Sequence, residues 1–461
     1  MSMQKVYIFR ACKCNKNRIN SGQESSQYAH NIIVCIELGV TKLMTQTGRK
    51  FETTHPWITF EVDLRSANPE LWMMLGECQS KCEHLAKYPL RPDIAAEIHK
   101  MYMAKGVLAT TAIEGNTLSE KEVREILDGT LKLPPSREYL EQEVTNIIDE
   151  CNRILDQVKR RDELALSTDR VMEMNKTILN NLKLAEGVNS GEIRSHDVVV
   201  AIYKGAPSED CKYLLDRLCE WLNDKEYFGT TTDARAMVNG ILKAVLAHLY
   251  LAWIHPFGDG NGRTARLMEF QILISSRVPS PAAQLLSNHY YETRQEYYRQ
   301  LHLASQTKNI IPFVVYAVQG FLDGLKSQLE VVKKQVLEVV WQNYVTDQFL
   351  DKTKASDLRR RDLIEDLSRI EPEAIPYQQL PLISPRVAKN YAKKTMRTLI
   401  RDVEELHRMK LLQFDKGLIR ARKEEILAFL PTQASLQEKI EETITKRRKT
   451  NNAEAKNETV A

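Results

Sequence analysis

The chain carries almost no net charge: 65 lysines and arginines against 61 aspartates and glutamates leave +4 over 461 residues. That balance excludes general attraction to polyanions through bulk electrostatics. A cysteine framework is missing too. The eight cysteines (Cys12, Cys14, Cys35, Cys78, Cys82, Cys151, Cys211, Cys219) are scattered. Cys12 and Cys14 stand too close for ordinary zinc spacing and no histidine-rich stretch follows, while Cys78 and Cys82 fall on one helix face. They read as reduced thiols of a cytoplasmic protein, not as a disulfide scaffold. No apolar run reaches the length a membrane span needs, and the first residues lack the order of a signal peptide, so no membrane partner is expected. What the chain does have is 43% hydrophobic residues, ample for sizeable cores, and a length that predicts about three domains.

Chemistry is densest in His255-Pro256-Phe257-Gly258-Asp259-Gly260-Asn261-Gly262-Arg263-Thr264-Ala265-Arg266. Before it, Leu242, Val245, Leu246, Leu249 and Trp253 recur at helical spacing, so Ala236 to Ile254 reads as a buried helix. Pro256 disfavours continuing that helix. Thr264 to Ser275 reads again as helix. A glycine-rich turn opening a helix aims free N–H groups and a positive dipole at an anion. Asp259 can hold a divalent cation; Mg2+ prefers one or two carboxylates plus substrate phosphates. Arg263 and Arg266 lie on one side of the new helix and suit phosphate oxygens. His255, with a side chain that titrates near neutrality, is the natural acceptor of a hydroxyl proton. Taken singly, each has an ordinary explanation: a capping histidine, turn pairs, solvated arginines. Turn chemistry does not require all of them together.

This loop resembles the motif of the Fic family, His-x-Phe-x-(Asp/Glu)-Gly-Asn-Gly-Arg-x-x-Arg, at every fixed position. The resemblance implies transfer of AMP from ATP to a protein hydroxyl, with His255 deprotonating the target and Asp259 holding Mg2+. It further implies that Gly260 and Gly262 offer backbone amides to the phosphates. Asn261 would orient the α-phosphate, and Arg263 and Arg266 would neutralise the β- and γ-phosphates. In this family adenine binds near Tyr290, Tyr291, Tyr297 and Tyr298, of which Tyr298 best matches the pattern. His248 reads as a core histidine.

Upstream, Thr110-Thr111-Ala112-Ile113-Glu114-Gly115-Asn116 reads as a helix end, and Ser119 with Glu122 as the capping box of the next helix. It also resembles the family's inhibitory pattern (Ser/Thr)-x-x-x-Glu-(Gly/Asn) through Thr110, Glu114 and Gly115. That resemblance implies a Glu114–Arg266 ion pair that withholds Arg266 from the γ-phosphate. In some relatives the same glutamate positions a water that removes AMP, and both roles stay open. A third segment, Gly191-Glu192-Ile193-Arg194 followed by Val198-Val199-Val200-Ala201-Ile202-Tyr203, contains the best strand candidate in the chain. The resemblance makes it a hairpin flap that receives an extended target segment by strand addition.

The expected fold is mostly α: a Fic-type helical core with a small β-hairpin flap and a C-terminal winged helix-turn-helix. The expected order is an N-terminal extension over 1–43, a helical region over 44–105, the core over 106–330, a linker helix and winged-helix-like domain over 331–430, and a polar tail over 431–461. Residues 1–43 match nothing in the family, and Met44 is a candidate true start. The winged-helix reading rests on Met396, Leu399, Ile400, Val403, Leu406 and Met409, at helical spacing between Ala392 and Met409. Two short strands follow, around Asp415-Lys416-Gly417. Lys389, Lys393, Lys394, Arg397 and Arg401 crowd the start of its recognition helix, and DNA is one partner such a face suits. A solvated basic face on a protein-interaction domain is the bland counterpart. The other expected partners are a target protein bearing a Ser, Thr or Tyr hydroxyl, the chain itself as substrate, and a second copy docked near the inhibitory segment. Beside AMP transfer stand removal of AMP, transfer of another nucleotide or phosphocholine, and a nucleotide-sensing DNA-binding regulator.

Overall fold

A computed structural model describes residues 48–427 apart from Arg65, 161–164, 201–202, 231–233, 371–373 and Lys416. The readings for residues 1–43 and 431–461 lie outside the described residues. Helices dominate. The N-terminal half holds α1 (Lys50–Thr54), α2 (Pro69–Lys87), α3 (Pro92–Ile113), α4 (Glu120–Leu127), α5 (Glu138–Lys159) and α6 (Thr168–Ile178). A hairpin of β1 (Val199–Val200) and β2 (Tyr203–Lys204) leads into α7 (Ser208–Leu222) and α8 (Lys225–Phe228). The centre of the molecule is the pair α9 (Ala236–Ile254) and α10 (Asn261–Ser275), followed by α11 (Leu285–Glu292), α12 (Arg294–Thr307) and the long α13 (Ile311–Gln348).

Local chemistry sets many of the boundaries. Asn68 accepts from the Glu70 N–H ahead of Pro69, which opens α2. Ser119 and Glu122 form the expected capping box of α4. The helix α9 has the bounds its periodicity predicts, but it corrects the reading that no run is long enough for a membrane. By length and composition it is long and apolar enough to cross one. Lys243 and His248 interrupt the run, yet one formal charge is within what a span tolerates. In this fold the helix is internal: 72% of its apolar window is buried.

One hydrophobic core runs from Phe51 to Val332 and a second from Trp341 to Ala421. Both draw on α13. The second is built from α14 (Ala355–Leu367), β3 (Ala374–Pro376), α15 (Pro385–Tyr391), α16 (Met396–Arg408), β4 (Leu412–Asp415) and β5 (Leu418–Ala421). Its sheet runs β3-β5-β4, antiparallel throughout, with Ile375 opposite Ile419 and Phe414 opposite Ile419 on the other side. The two predicted strands are β4 and β5; β3 and α15 carried no recognised signal. The single helix expected from Ala392 starts at Met396 instead, because the chain turns after α15 and Thr395 is extended. Within the predicted stripe, Leu399, Val403 and Leu406 face the core while Met396 and Ile400 are exposed.

Trp341 is fully buried in this second core. Trp341→Ala is expected to cost about 3–5 kcal/mol there. Hydrogen exchange should report the loss in α14 to β5 and leave the α9–α10 amides at their wild-type protection; equal loss in both would show a single cooperative unit.

Candidate functional site

Ile254 ends α9, and His255 turns the chain with left-handed backbone angles of φ 50° and ψ 58°. Arg194 holds that turn. Its buried guanidinium donates to the carbonyls of His255 (2.7 Å), His196 (2.6 Å) and Ala206. An isolated bridge between Ile193 and Phe257 and an Arg194 N–H to Pro256 carbonyl bond (3.0 Å) tie the same two stretches together. Gly191-Glu192-Ile193-Arg194 thus braces the loop from behind, a role the sequence reading did not give it.

The loop then enters α10 three residues earlier than periodicity predicts. Gly260 takes a left-handed conformation (φ 77°) ahead of Asn261, and a side chain there would meet Asn175 Nδ2 at 2.9 Å. Asn261 closes the turn: its Oδ1 accepts from the Phe257 N–H (2.9 Å) and its Nδ2 donates to the Phe257 carbonyl (2.8 Å). Its amide is therefore first a brace of the loop. Asn175, on α6, adds a bond to the Asp259 carbonyl (2.9 Å). Asn261 and Gly262 consequently stand at the N-terminus of a helix, where unpaired N–H groups and the dipole favour an anion, whereas the Gly260 N–H, expected to face a phosphate, is taken by Asp259.

Asp259 is half exposed. Its Oδ1 takes the Gly260 N–H (2.5 Å) and Arg263 Nη2 (3.1 Å). Arg263 is buried, and its other arm reaches Glu143 of α5 (3.1 Å), which also accepts from Asn116 (2.9 Å). The two arginines of the loop part company here. Arg263 sits between two carboxylates, whereas Arg266 reaches Glu114 at 2.5 Å and the Thr110 carbonyl at 3.0 Å. Glu114 caps the end of α3, where Gly115 (φ 104°) breaks the helix. Burial alone would raise the Glu114 carboxyl, but Arg266, with Arg263 and His255 beyond it, outweighs that and holds it below the ordinary glutamate range. Gly262 makes the approach feasible. A Cβ at this position would stand 2.3 Å from Glu114 Oε1, so only glycine leaves the carboxylate room in the cradle.

His255, Asn261, Gly262, Arg266, Glu114 and Tyr298 all line one cavity of about 660 Å3, a size typical of small-ligand sites. Arg263 and Asp259 do not line it. Tyr298 is half exposed at its rim, with Arg294 5.8 Å above the ring. Tyr290 and Tyr297 are buried. Part of the cavity wall is a chain missed in the sequence. His248 Nε2 lies 2.8 Å from Tyr297 Oη, its Nδ1 3.1 Å from Glu269 Oε2, and Tyr290 donates to Glu269 Oε1 at 2.9 Å. Glu143 and Asn175 lie on helices far from the loop in sequence, and Glu269, one turn beyond Arg266 on α10 itself, carries no local pattern that marks it.

The expected flap is present, but its strand run folds on itself: Val199 pairs with Lys204 and Val200 with Tyr203. Ala201 and Ile202 lie outside the described residues. Val198 accepts from the Gly205 N–H at 3.1 Å, and Val199 is exposed. The hairpin is anchored through Tyr203, which donates to the Trp253 carbonyl (2.9 Å), and through His55 Nε2, 2.9 Å from the Lys204 carbonyl.

Burial first, then the Arg194 charge, lowers the His255 imidazole to about 4. The unfolded chain would take up this proton near 6.5 and the folded one only near 4, so the group withdraws stability as pH falls through that window. Ring NMR should find His255 neutral at pH 5.5; a midpoint near 6.5 would contradict the buried geometry.

A model of the Fic/DOC family matches residues 165–273. Protein adenylyltransferase fic-1 of Caenorhabditis elegans is 34% identical over 231 residues, 48% of this chain and 41% of that protein. Protein adenylyltransferase Fic of Nematostella vectensis is 27% identical over 246 residues, 53% of each. The chain thus spans about half the length of the curated relatives it matches. Among solved structures, Fic-1 from C. elegans aligns with a TM-score of 0.46 and 27% identity over 58% of this chain and 74% of that one.

Proposed function

We propose that this chain, which carries a Fic/DOC domain over residues 165–273, is a protein adenylyltransferase. It takes ATP and moves AMP to a Ser, Thr or Tyr hydroxyl of a target protein. The observation that carries this reading is the single cavity shared by His255, the N-terminal turn of α10 and Arg266. The named activity of the relatives agrees with it.

In this reading the target hydroxyl gives its proton to the neutral imidazole of His255. Its oxygen bonds to the α-phosphorus, the bond from that phosphorus to the bridging oxygen breaks, and pyrophosphate leaves. Phosphate charge entering the cradle raises the basicity of His255, which offsets the effect of burial. The N–H groups of the first α10 turn and the Arg266 guanidinium meet the phosphates. Positioning and charge neutralisation are most of what such a transfer needs. Arg263 acts one step back, holding Asp259.

Mg2+ fits the residues present. Among the described residues no group of three metal-binding side chains gathers, but Mg2+ asks for only one or two carboxylates when substrate phosphates complete its shell. Both contacts of Asp259 fall on Oδ1, so Oδ2 is the ligand proposed. The ion would supply charge neutralisation at the phosphates.

We infer that Glu114 is an inhibitor in cis, because it occupies the cation proposed for the γ-phosphate. The same carboxylate is ionised and shares a cavity with His255, which also suits alignment of a water for removing AMP. The C-terminal unit is read as a winged helix on its order of helix, strand, two helices and hairpin. A cytoplasmic location is proposed on the five buried free thiols among the described residues.

Incubation with ATP labelled at the α-phosphate tests this. Glu114→Gly should raise self-labelling roughly tenfold or more, the equivalent of about 1.4 kcal/mol. Adding His255→Ala should lower it by about 10²–10⁴. Labelling that Glu114→Gly leaves unchanged sinks the inhibitory role; labelling that survives His255→Ala sinks the base.

A further inference from the structure

Acidic and basic side chains of the C-terminal unit are sorted onto different faces. The carboxylates of α14 are consumed locally: Asp357 by Arg360 (3.2 Å), Asp362 by Arg386 (3.2 Å), and Asp366 by Arg386 (2.5 Å). Asp402, the buried carboxylate of α16, is held by Arg359 (2.7 Å), Arg360 (2.8 Å) and the Tyr391 hydroxyl (3.0 Å). That cluster fastens α14 and the end of α15 to the inner side of α16. Leu399, Val403 and Leu406 complete the same inner stripe, so the angle between α15 and α16 is locked by burial.

The opposite face is different in kind. Lys389 on α15, Lys393 and Lys394 in the turn, and Arg397 and Arg401 on α16 are all exposed. Among the described residues none of these five makes an ion pair. Arg397 and Arg401 are one turn apart on α16, so they share a face. Thr395 gives the start of that helix no side-chain cap, which leaves its first N–H groups to an outside acceptor. Met396 and Ile400, 52% and 40% exposed, stand beside them. The β4–β5 hairpin follows α16 directly, with Phe414 exposed on it. One carboxylate, Glu404, is exposed a turn beyond Arg401 and opposes the trend.

We propose that this face binds duplex DNA. In a helix-turn-helix the second helix enters the major groove with its N-terminal residues at the base edges, while the first crosses the backbone. Here the second helix, α16, is rigidly backed. Its N-terminal end presents two arginines, the side chain that grips guanine edges or phosphates. Its exposed apolar groups match thymine methyls. Lys389, Lys393 and Lys394 fall where phosphates pass. An acidic protein would also be attracted to five cations, but it does not call for an uncapped helix start flanked by a turn of lysines. The small net charge of the whole chain does not oppose this, since the cations are gathered on one face and the acids are paired elsewhere.

Fluorescence anisotropy of the full chain with a labelled mixed-sequence duplex of roughly 20 base pairs, about two helical turns, tests the proposal. Binding is expected with a Kd of about 10⁻⁴–10⁻⁶ M for such non-specific sequence, weakening steeply between about 50 and 200 mM salt. The double variant Arg397→Ala/Arg401→Ala should weaken binding and reduce the salt slope by about two. Both side chains are exposed, and an unchanged denaturation curve checks that the unit still folds. His255→Ala should bind DNA as the parent does, so this result is independent of the transferase reading. The proposal is overturned by no anisotropy change at the lower salt or by binding that the double variant leaves intact. Displacement of the duplex by polyglutamate at equal charge would overturn it too, assigning the face to an acidic protein.

Discussion

A carboxylate at the end of α3 and a guanidinium in the second turn of α10 meet at 2.5 Å, more than a hundred and fifty residues apart in the chain. Much of the site is arranged around that contact. Arg266 is buried, so its charge needs a partner; leaving such a charge alone typically costs about 3–5 kcal/mol. In this structure the partner is Glu114. On the proposed reading a phosphate is the other candidate, and the two compete for one cation. The competition depends on Gly262, because any side chain there would occupy the space that the carboxylate fills.

The two arginines of the loop show how neighbouring residues of one type come to do different work. Arg263 and Arg266 are separated by less than one helical turn, yet one lies between Glu143 and Asp259 while the other reaches Glu114 and the Thr110 carbonyl. The difference comes from what surrounds α10: α5 on one side and the end of α3 on the other. Asp259, Arg263, Glu143 and Asn116 form one polar chain; His248, Glu269, Tyr290 and Tyr297 form another at the cavity wall. Buried polar networks of this kind fix geometry as much as they add stability.

Rigidity behind the loop has a comparable source. Arg194 donates to three backbone carbonyls, those of His255, His196 and Ala206, and so joins the strained turn at His255 to the base of the flap. Tyr203 and His55 then pin β2 from two other directions. The imidazole is therefore presented by a scaffold that barely depends on its own side-chain contacts, which is what a positioned proton acceptor requires.

Much of this was legible in one dimension because the relevant forces are local. The apolar periodicity of α9, the capping box at Ser119 and Glu122, the glycine-rich turn, and the density of His, Asp, Asn and Arg over twelve residues all act within a turn or two of chain. Resemblance extended that reach to Glu114, whose partner lies in another helix. Tertiary structure decided the rest. It showed α9 to be internal although its composition would suit a bilayer, started α10 at Asn261, divided the two arginines, and brought Glu143, Asn175 and Arg194 to the site. It also turned Met396 and Ile400 outward within a stripe that periodicity alone read as one face. The reason is the same in each case: hydrogen bonds, ion pairs and burial between elements far apart in sequence depend on distances that only packing sets, and no residue pattern encodes them until the helices have met.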